Sequence, residues 1–193
     1  MDLSPWHYFL SLERDFERSI NYVELTTVNG QTFSNEFAKL LLLIGSEVDV
    51  VAKALCRSLD PSSSAYNIIH YRTEITGALI GMHEIEIDIP RYQMSFRPWG
   101  AWGQAEPTSP DWWKAYNAVK HDRVDNFHQA NLNNTVQALA GLLALHLYVH
   151  RDNTHLQPYP ELLAFNFPEF LVTSGNDKKL PGLHNVLPIH SGK

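Results

Sequence analysis

Hydrophobic positions along this chain recur with two different periods, and the changes of period mark out its elements. From Ser4-Pro5, an N-cap followed by a first-turn proline, Trp6, Phe9, Leu10, Phe16, Ile20 and Val23 return at helical spacing. This predicts a first helix running to about Leu25. "TTVNGQTF" interrupts it with an Asn-Gly turn signal. Ser34 then opens a second helix, "SNEFAKLLLLIGSEVDVVAKALCRSL", whose polar side gathers Ser46, Asp49, Lys53 and Arg57. "DPSSS" ends it, and "AYNIIHYRTEITGALI" is read as a third helix.

The period next falls to two. In "HEIEIDI", Ile85, Ile87 and Ile89 share one face, and Glu84, Glu86 and Asp88 share the other. "YQMSF" alternates likewise, so the two runs predict a hairpin around Pro90-Arg91. A lone hairpin is barely stable in water and should lean on the helices. "RPWGAWGQAEPTSP" is a loop that ends in a helix start, with Ser109 as N-cap and Pro110 at the first position. "DWWKAYNAVKHDR" follows, with a break around Asp125 and then a long helix from about Asn126 to Val149. That helix is apolar around most of its circumference from Val136 on, as a central helix should be.

The expected fold is therefore mainly α. An up-and-down helical bundle spans 1–150 and carries a hairpin and loop insertion at about 83–108. Residues 151–193 contain Pro158, Pro160, Pro168, Pro181 and Pro188, and read as a tail packed on the bundle or partly extended. "PELLAF" and "PEFLV" are its docking segments.

Composition narrows the classes. A chain of 193 residues with 44% hydrophobic and 19% charged positions can bury a core of its own. A net charge of −6 argues against broad adhesion to nucleic acid and leaves room for a local basic site. Cys56 is the only cysteine, which rules out an internal disulfide and a thiolate metal cluster. The first residues lack a signal-peptide core and no apolar stretch reaches membrane-span length, so the expected setting is cytoplasmic. Gly-rich phosphate loops, GxSxG and HExxH are absent, and no cofactor is expected.

Candidate chemistry concentrates on residues 111–123. On a helical wheel Trp112, Ala115, Tyr116 and Val119 point one way, with Arg123 on the same meridian. Trp113, Asn117, Lys120 and His121 form the other edge: a flat aromatic, an amide able to orient an imidazole, and a cation. That set suits a phosphate or a nucleobase. The plainer alternative is a solvated face with a histidine where positive charge is favoured, at a helix C-terminus. Glu47 lies between Ile44, Val48 and Val51, where a lone carboxylate is costly, so it is expected to tether a donor: Arg123, Lys120 or Tyr116. The acidic strand face is expected to be solvated. His146 and His150, one turn apart, lack a third ligand at helical spacing, and no metal is expected there.

At "YNAVKH" the chain resembles the HEPN superfamily, all-α bundles with an arginine, usually followed by a polar residue, and a histidine four to six positions after the arginine. "DWWKAYNAVKHDR" followed by "FHQANLNNTVQALAGLLAL" is similar to a group of uncharacterised bacterial HEPN-like proteins. The likeness covers about Ser109 to Val149; "SEVDVVAKALC" and the "PW..W" loop fit more loosely.

The resemblance implies metal-independent ribonuclease chemistry in the cleft of a homodimer, as in toxins, partnered by antitoxins, or in phage-defence effectors. His121 matches the histidine and Asn117 the polar residue, while Tyr116 stands at the arginine position. The cation would then come from Lys120 or Arg123, although lysine lacks arginine's bidentate fork. Trp113, Tyr116, Trp99 and Trp102 would contact the substrate, RNA or a nucleotide. The alternative that Tyr116 raises is a catalytically inactive HEPN-like module binding a small ligand or a protein partner.

Overall fold

A computed structural model describes residues 3–151 and 157–166, with six helices and three short strands among them. The bundle is organised around two apolar helices in contact, which start side by side where Phe33 bridges Asn131. In α2 (Asn35–Leu59), Leu41, Ile44, Val48, Val51 and Leu55 recur every three or four residues and are buried. Ser34 begins this helix as its spacing predicts, its hydroxyl accepting from the Phe37 N–H at 3.1 Å. The stripe packs on α6 (Leu132–Val149), in which every residue from Ala138 to Tyr148 is buried. α1 (Ser4–Ser19), α3 (Ile68–Ala78) and α4 (Asp111–His121) pack around this pair.

The helix ends differ from the sequence expectations, each for a local reason. α1 stops at Ser19, well short of Leu25; the Ser19 hydroxyl bonds the Phe16 carbonyl at 2.6 Å. Ile20 and Leu25 remain buried in the turns beyond, which is why the apolar spacing outlasts the helix. α4 starts one residue later than predicted, with Pro110 rather than Ser109 at the cap position. α6 starts at Leu132, not Asn126, because Asp122, Asn126 and Asn131 divert backbone groups into local bonds. Asp122 accepts from the Asp125 N–H to cap a single turn, α5 (Arg123–Asn126). A 3₁₀ turn follows at Phe127–Gln129, and Asn131 caps α6 by accepting from the Asn134 N–H at 2.9 Å.

β1 (Glu86–Ile89) and β2 (Met94–Phe96) form the expected hairpin, in register Ile87 opposite Phe96 and Ile89 opposite Met94. Ile85, Ile87 and Ile89 are buried against the helices, while Glu86 meets the Arg97 guanidinium at 2.7 Å. A third strand, β3 (Ala164–Asn166), pairs with the other edge of β1 and gives the order β2-β1-β3.

That strand belongs to a docked part of the tail whose anchor had no sequence signal. Glu13 on α1 is 1% exposed. Its Oε1 accepts from the N–H groups of Leu162 and Leu163 at 3.1 and 2.9 Å, and its Oε2 from that of Glu161 at 2.9 Å. Burial pushes this carboxyl above its usual range, and the three N–H donors partly offset the push. The Trp6 indole N–H adds a bond to the Pro158 carbonyl at 3.0 Å. Thus "PELLAF" docks as expected, whereas "PEFLV" lies outside the described residues. No helix among the described residues is long and apolar enough to cross a membrane.

Candidate functional site

Three indoles fix α4 in the bundle. Trp112 donates to the Pro98 carbonyl at 2.8 Å and Trp99 to the Gly141 carbonyl at 3.1 Å. Their rings meet edge-on at 5.1 Å, with Trp102 4.2 Å from Trp99. Gly141 makes room for this: a Cβ there would lie 2.9 Å from Trp112 Cζ2. Trp99 and Trp102, expected as substrate contacts, are 0% and 4% exposed and are core side chains instead. A buried indole needs one acceptor for its N–H, and for Trp99 that acceptor is a backbone carbonyl inside the bundle.

Tyr116 faces inward, as the wheel predicts, and lies flat against α2 at Gly45. A Cβ on Gly45 would stand 2.3 Å from Tyr116 Cδ2. The phenol ring also meets Trp113, 5.1 Å away, and carries the Lys120 ammonium 5.3 Å from its centroid.

Beside this contact opens a cleft of about 500 Å³ between α2, the entry to α3, and α4. α2 contributes Ser46 and Asp49; the α3 entry contributes Tyr66, Asn67 and Ile68; α4 contributes Trp113, Tyr116, Asn117 and Lys120. The charges in it are unequal. Asp49 Oδ1 accepts from the Tyr71 hydroxyl at 2.7 Å, and its Oδ2 pairs with the Lys53 ammonium. Burial and the neighbouring carboxylate hold the Tyr71 phenol in its protonated form, well above the usual range. Both Asp49 oxygens are therefore engaged and its charge is matched by Lys53. Lys120 is exposed and has no carboxylate partner among the described residues, so the uncompensated charge of the lining is positive.

The amides are half-committed. The Asn67 carbonyl caps α3 by accepting from the N–H groups of Ile69 and His70, each at 3.0 Å, which leaves its NH₂ as a donor. Asn117 donates to the Trp113 carbonyl at 2.9 Å, which leaves its carbonyl as an acceptor. It therefore holds its own helix rather than orienting the His121 imidazole.

Of the four residues expected to act together, the cleft gathers Asn117 and Lys120 and not His121 or Arg123. α4 ends at His121, whose side chain turns to solvent, and Asp122 redirects the chain. Arg123 opens α5 with its guanidinium 5.9 Å from the Phe127 ring, so it leaves the α4 meridian on which the wheel put it. Trp113 and Tyr116 do line the cleft, but as nearly covered walls. Tyr66 and Asn67 are additions that the sequence reading missed. Their signal was the cap residue before "IIHY", since Asn is a preferred N-cap.

Glu47 forms no tether. Position 47 lies about 200° around α2 from Gly45, where Tyr116 sits, so α4 is out of reach. The carboxyl is half-buried, burial raises its pKa, and no donor among the described residues meets it.

His146 is fully buried against Trp6 and Phe9 and stacked on His150 at 5.8 Å. Neither of its ring nitrogens has a hydrogen-bond partner, and burial lowers its pKa to about 3. Burial also pushes the Cys56 thiol up to about 12, with Glu74 adding to the effect. Among the described residues no group of three or more His, Cys, Asp or Glu is placed to hold a metal ion.

Comparison with protein-family models, with curated proteins and with solved structures finds no match to this chain.

Proposed function

We propose that this protein is a HEPN-like binding module that takes RNA or a nucleotide into the α2–α3–α4 cleft and does not cleave it. The observation that carries the reading is that four residues of the motif helix, Trp113, Tyr116, Asn117 and Lys120, line one polar cleft with an uncompensated cation. An amide acceptor, an amide donor and an ammonium suit a phosphate-bearing base. Phosphodiester cleavage asks for more: a group at the reacting atoms that moves a proton. His121, the candidate for that role, is solvent-exposed and outside the lining.

The test is binding of the four ribonucleoside 5′-monophosphates and a labelled RNA octamer, with the octamer's integrity followed in EDTA. Binding should be lost in Asn117→Ala and Lys120→Met, kept in His121→Ala, and the RNA should stay whole. Absence of binding to every probe refutes the reading. A second reading, a ribonuclease completed by a partner protomer or controlled by an antitoxin, draws on His121 being exposed directly after Lys120. Metal-independent cleavage that His121→Ala abolishes would replace the first reading with this one.

A further inference from the structure

We infer that the unit this cleft recognises is one nucleotide, with its base stacked on Tyr66 and its single phosphate at Lys120. The inference rests on the reading of the cleft as a nucleotide site and goes on to fix what fits there. Three aromatic side chains line it, and two of them are covered: Trp113 is 8% and Tyr116 5% exposed. Lys120 also lies over the Tyr116 ring. Tyr66 is 67% exposed, and its one ring neighbour is His70, edge-on at 4.6 Å. One ring with open surface stacks one base.

The count of cations gives the same number. Lys53 is spent on Asp49, which leaves Lys120 as the lining's unpaired charge among the described residues. The positive end of α3 also opens here, but the Asn67 carbonyl already takes the N–H groups of Ile69 and His70. A phosphate is thus directed to Lys120, not to the helix end. Between the two seats the NH₂ of Asn67 and the carbonyl of Asn117 offer one donor and one acceptor to a base edge or a ribose hydroxyl. A volume of about 500 Å³ matches a single small ligand. A longer strand would need further cations, and the chain's net charge of −6 opposes it.

The experiment compares adenosine, ribose 5-phosphate, AMP and an adenylate octamer by titration calorimetry at several salt concentrations. AMP should bind, and the octamer should bind no more tightly than AMP once its ends are counted. The octamer's salt dependence should correspond to one phosphate contact, a log–log slope of about 0.7 in magnitude for a single strand. Tyr66→Ala should weaken AMP roughly tenfold and leave ribose 5-phosphate unchanged, while Tyr66→Phe keeps AMP binding. Lys120→Met should bring AMP down to the affinity of adenosine. An octamer that binds far more tightly than AMP, with a slope of several phosphates, overturns this inference while leaving RNA binding in place. So does AMP binding indifferent to Tyr66→Ala. If no probe binds, this inference falls together with the reading it rests on.

Discussion

Gly45→Ala tests the contact on which the cleft is built. By itself the change should help, since alanine is favoured over glycine within a helix by about 1 kcal/mol. The added Cβ, however, would lie 2.3, 2.5 and 2.6 Å from Cδ2, Cγ and Cε2 of Tyr116. Carbon atoms rest at roughly 3.5–4.0 Å, so three ring atoms must retreat by more than about 1 Å. Trp113 stands against the same ring at 5.1 Å, and the ring is buried, so the retreat has to move α4 itself. Overpacking of this kind costs about 1–3 kcal/mol, and three simultaneous clashes place it at the upper end. After the propensity gain, Gly45→Ala should lose about 2 kcal/mol. In a Tyr116→Ala background the methyl has room, and the same change should become neutral or stabilising by about 1 kcal/mol. The coupling across the cycle is then about 3 kcal/mol, within the range for residues in direct contact. Urea unfolding of the four proteins reads it directly. If Gly45→Ala costs the same in both backgrounds, the ring does not rest on that glycine and the described cleft wall is wrong.

Further expectations concern the groups that hold the rest of the bundle. His146 has a folded pKa of about 3 against an ordinary 6.5, so the unfolded chain binds its proton first, and stability falls as pH drops below about 6.5. Between pH 7 and 5 its share of that loss is about 2 kcal/mol, and unfolding curves of His146→Leu should lack it. Burial lowers His150 as well, which works in the same direction. Glu13, with its raised pKa, works in the opposite one, and comparing wild type with His146→Leu cancels it, the difference reading His146 together with the His150 ring stacked on it. Glu13→Gln removes an acceptor from one of three buried N–H groups. It should cost about 2 kcal/mol and deprotect the amides of 161–163 in hydrogen exchange while α2 and α6 stay protected. Trp99→Phe removes the indole N–H bond to the Gly141 carbonyl, which keeps its helical partner within α6, and should lower stability by about 1 kcal/mol; calorimetry with AMP should find ligand affinity unchanged, since that indole is core.

What could be read from the sequence followed how local the determining physics is. The stripes of α2 and α6 are periodic along the chain and face one another, so periodicity alone delivers the bundle. The isoleucines of β1 alternate, and the hairpin follows. Helix ends were legible where one side chain decides, as at Ser34, and misread where apolar residues stay buried past the last turn, as at Ile20 and Leu25. The site was half legible. Asn117 and Lys120 share a helix edge visible on a wheel, but the opposite wall comes from Tyr66 and Asn67, some fifty residues away in sequence. Nothing in a wheel says that a third helix will begin beside the fourth. Glu13 was invisible for the same reason: its donors are backbone N–H groups nearly 150 residues further on, which carry no sequence signature.

Tyr116 is where the resemblance and the structure bear most directly on each other. The HEPN pattern has an arginine at this position, and Tyr116→Arg writes that residue back. The surroundings argue against it. The side chain at 116 lies on the bare backbone of Gly45, is 5% exposed, and has the Lys120 ammonium over it. A guanidinium there would face a second cation, and Asp49, the carboxylate of this cleft, is already held by Tyr71 and Lys53. An unpaired buried charge of this kind costs about 3–5 kcal/mol. Tyr116→Arg should therefore lower the unfolding midpoint in urea and create no ribonuclease activity, because His121 remains exposed and outside the cleft lining. The glycine at 45 and the tyrosine at 116 belong together as a packing pair, and a chain that keeps both has given up room for an arginine in exchange for a closed aromatic wall. RNA cleavage appearing in Tyr116→Arg would show that the protomer retains the arrangement for catalysis, and the binding-only reading would have to go.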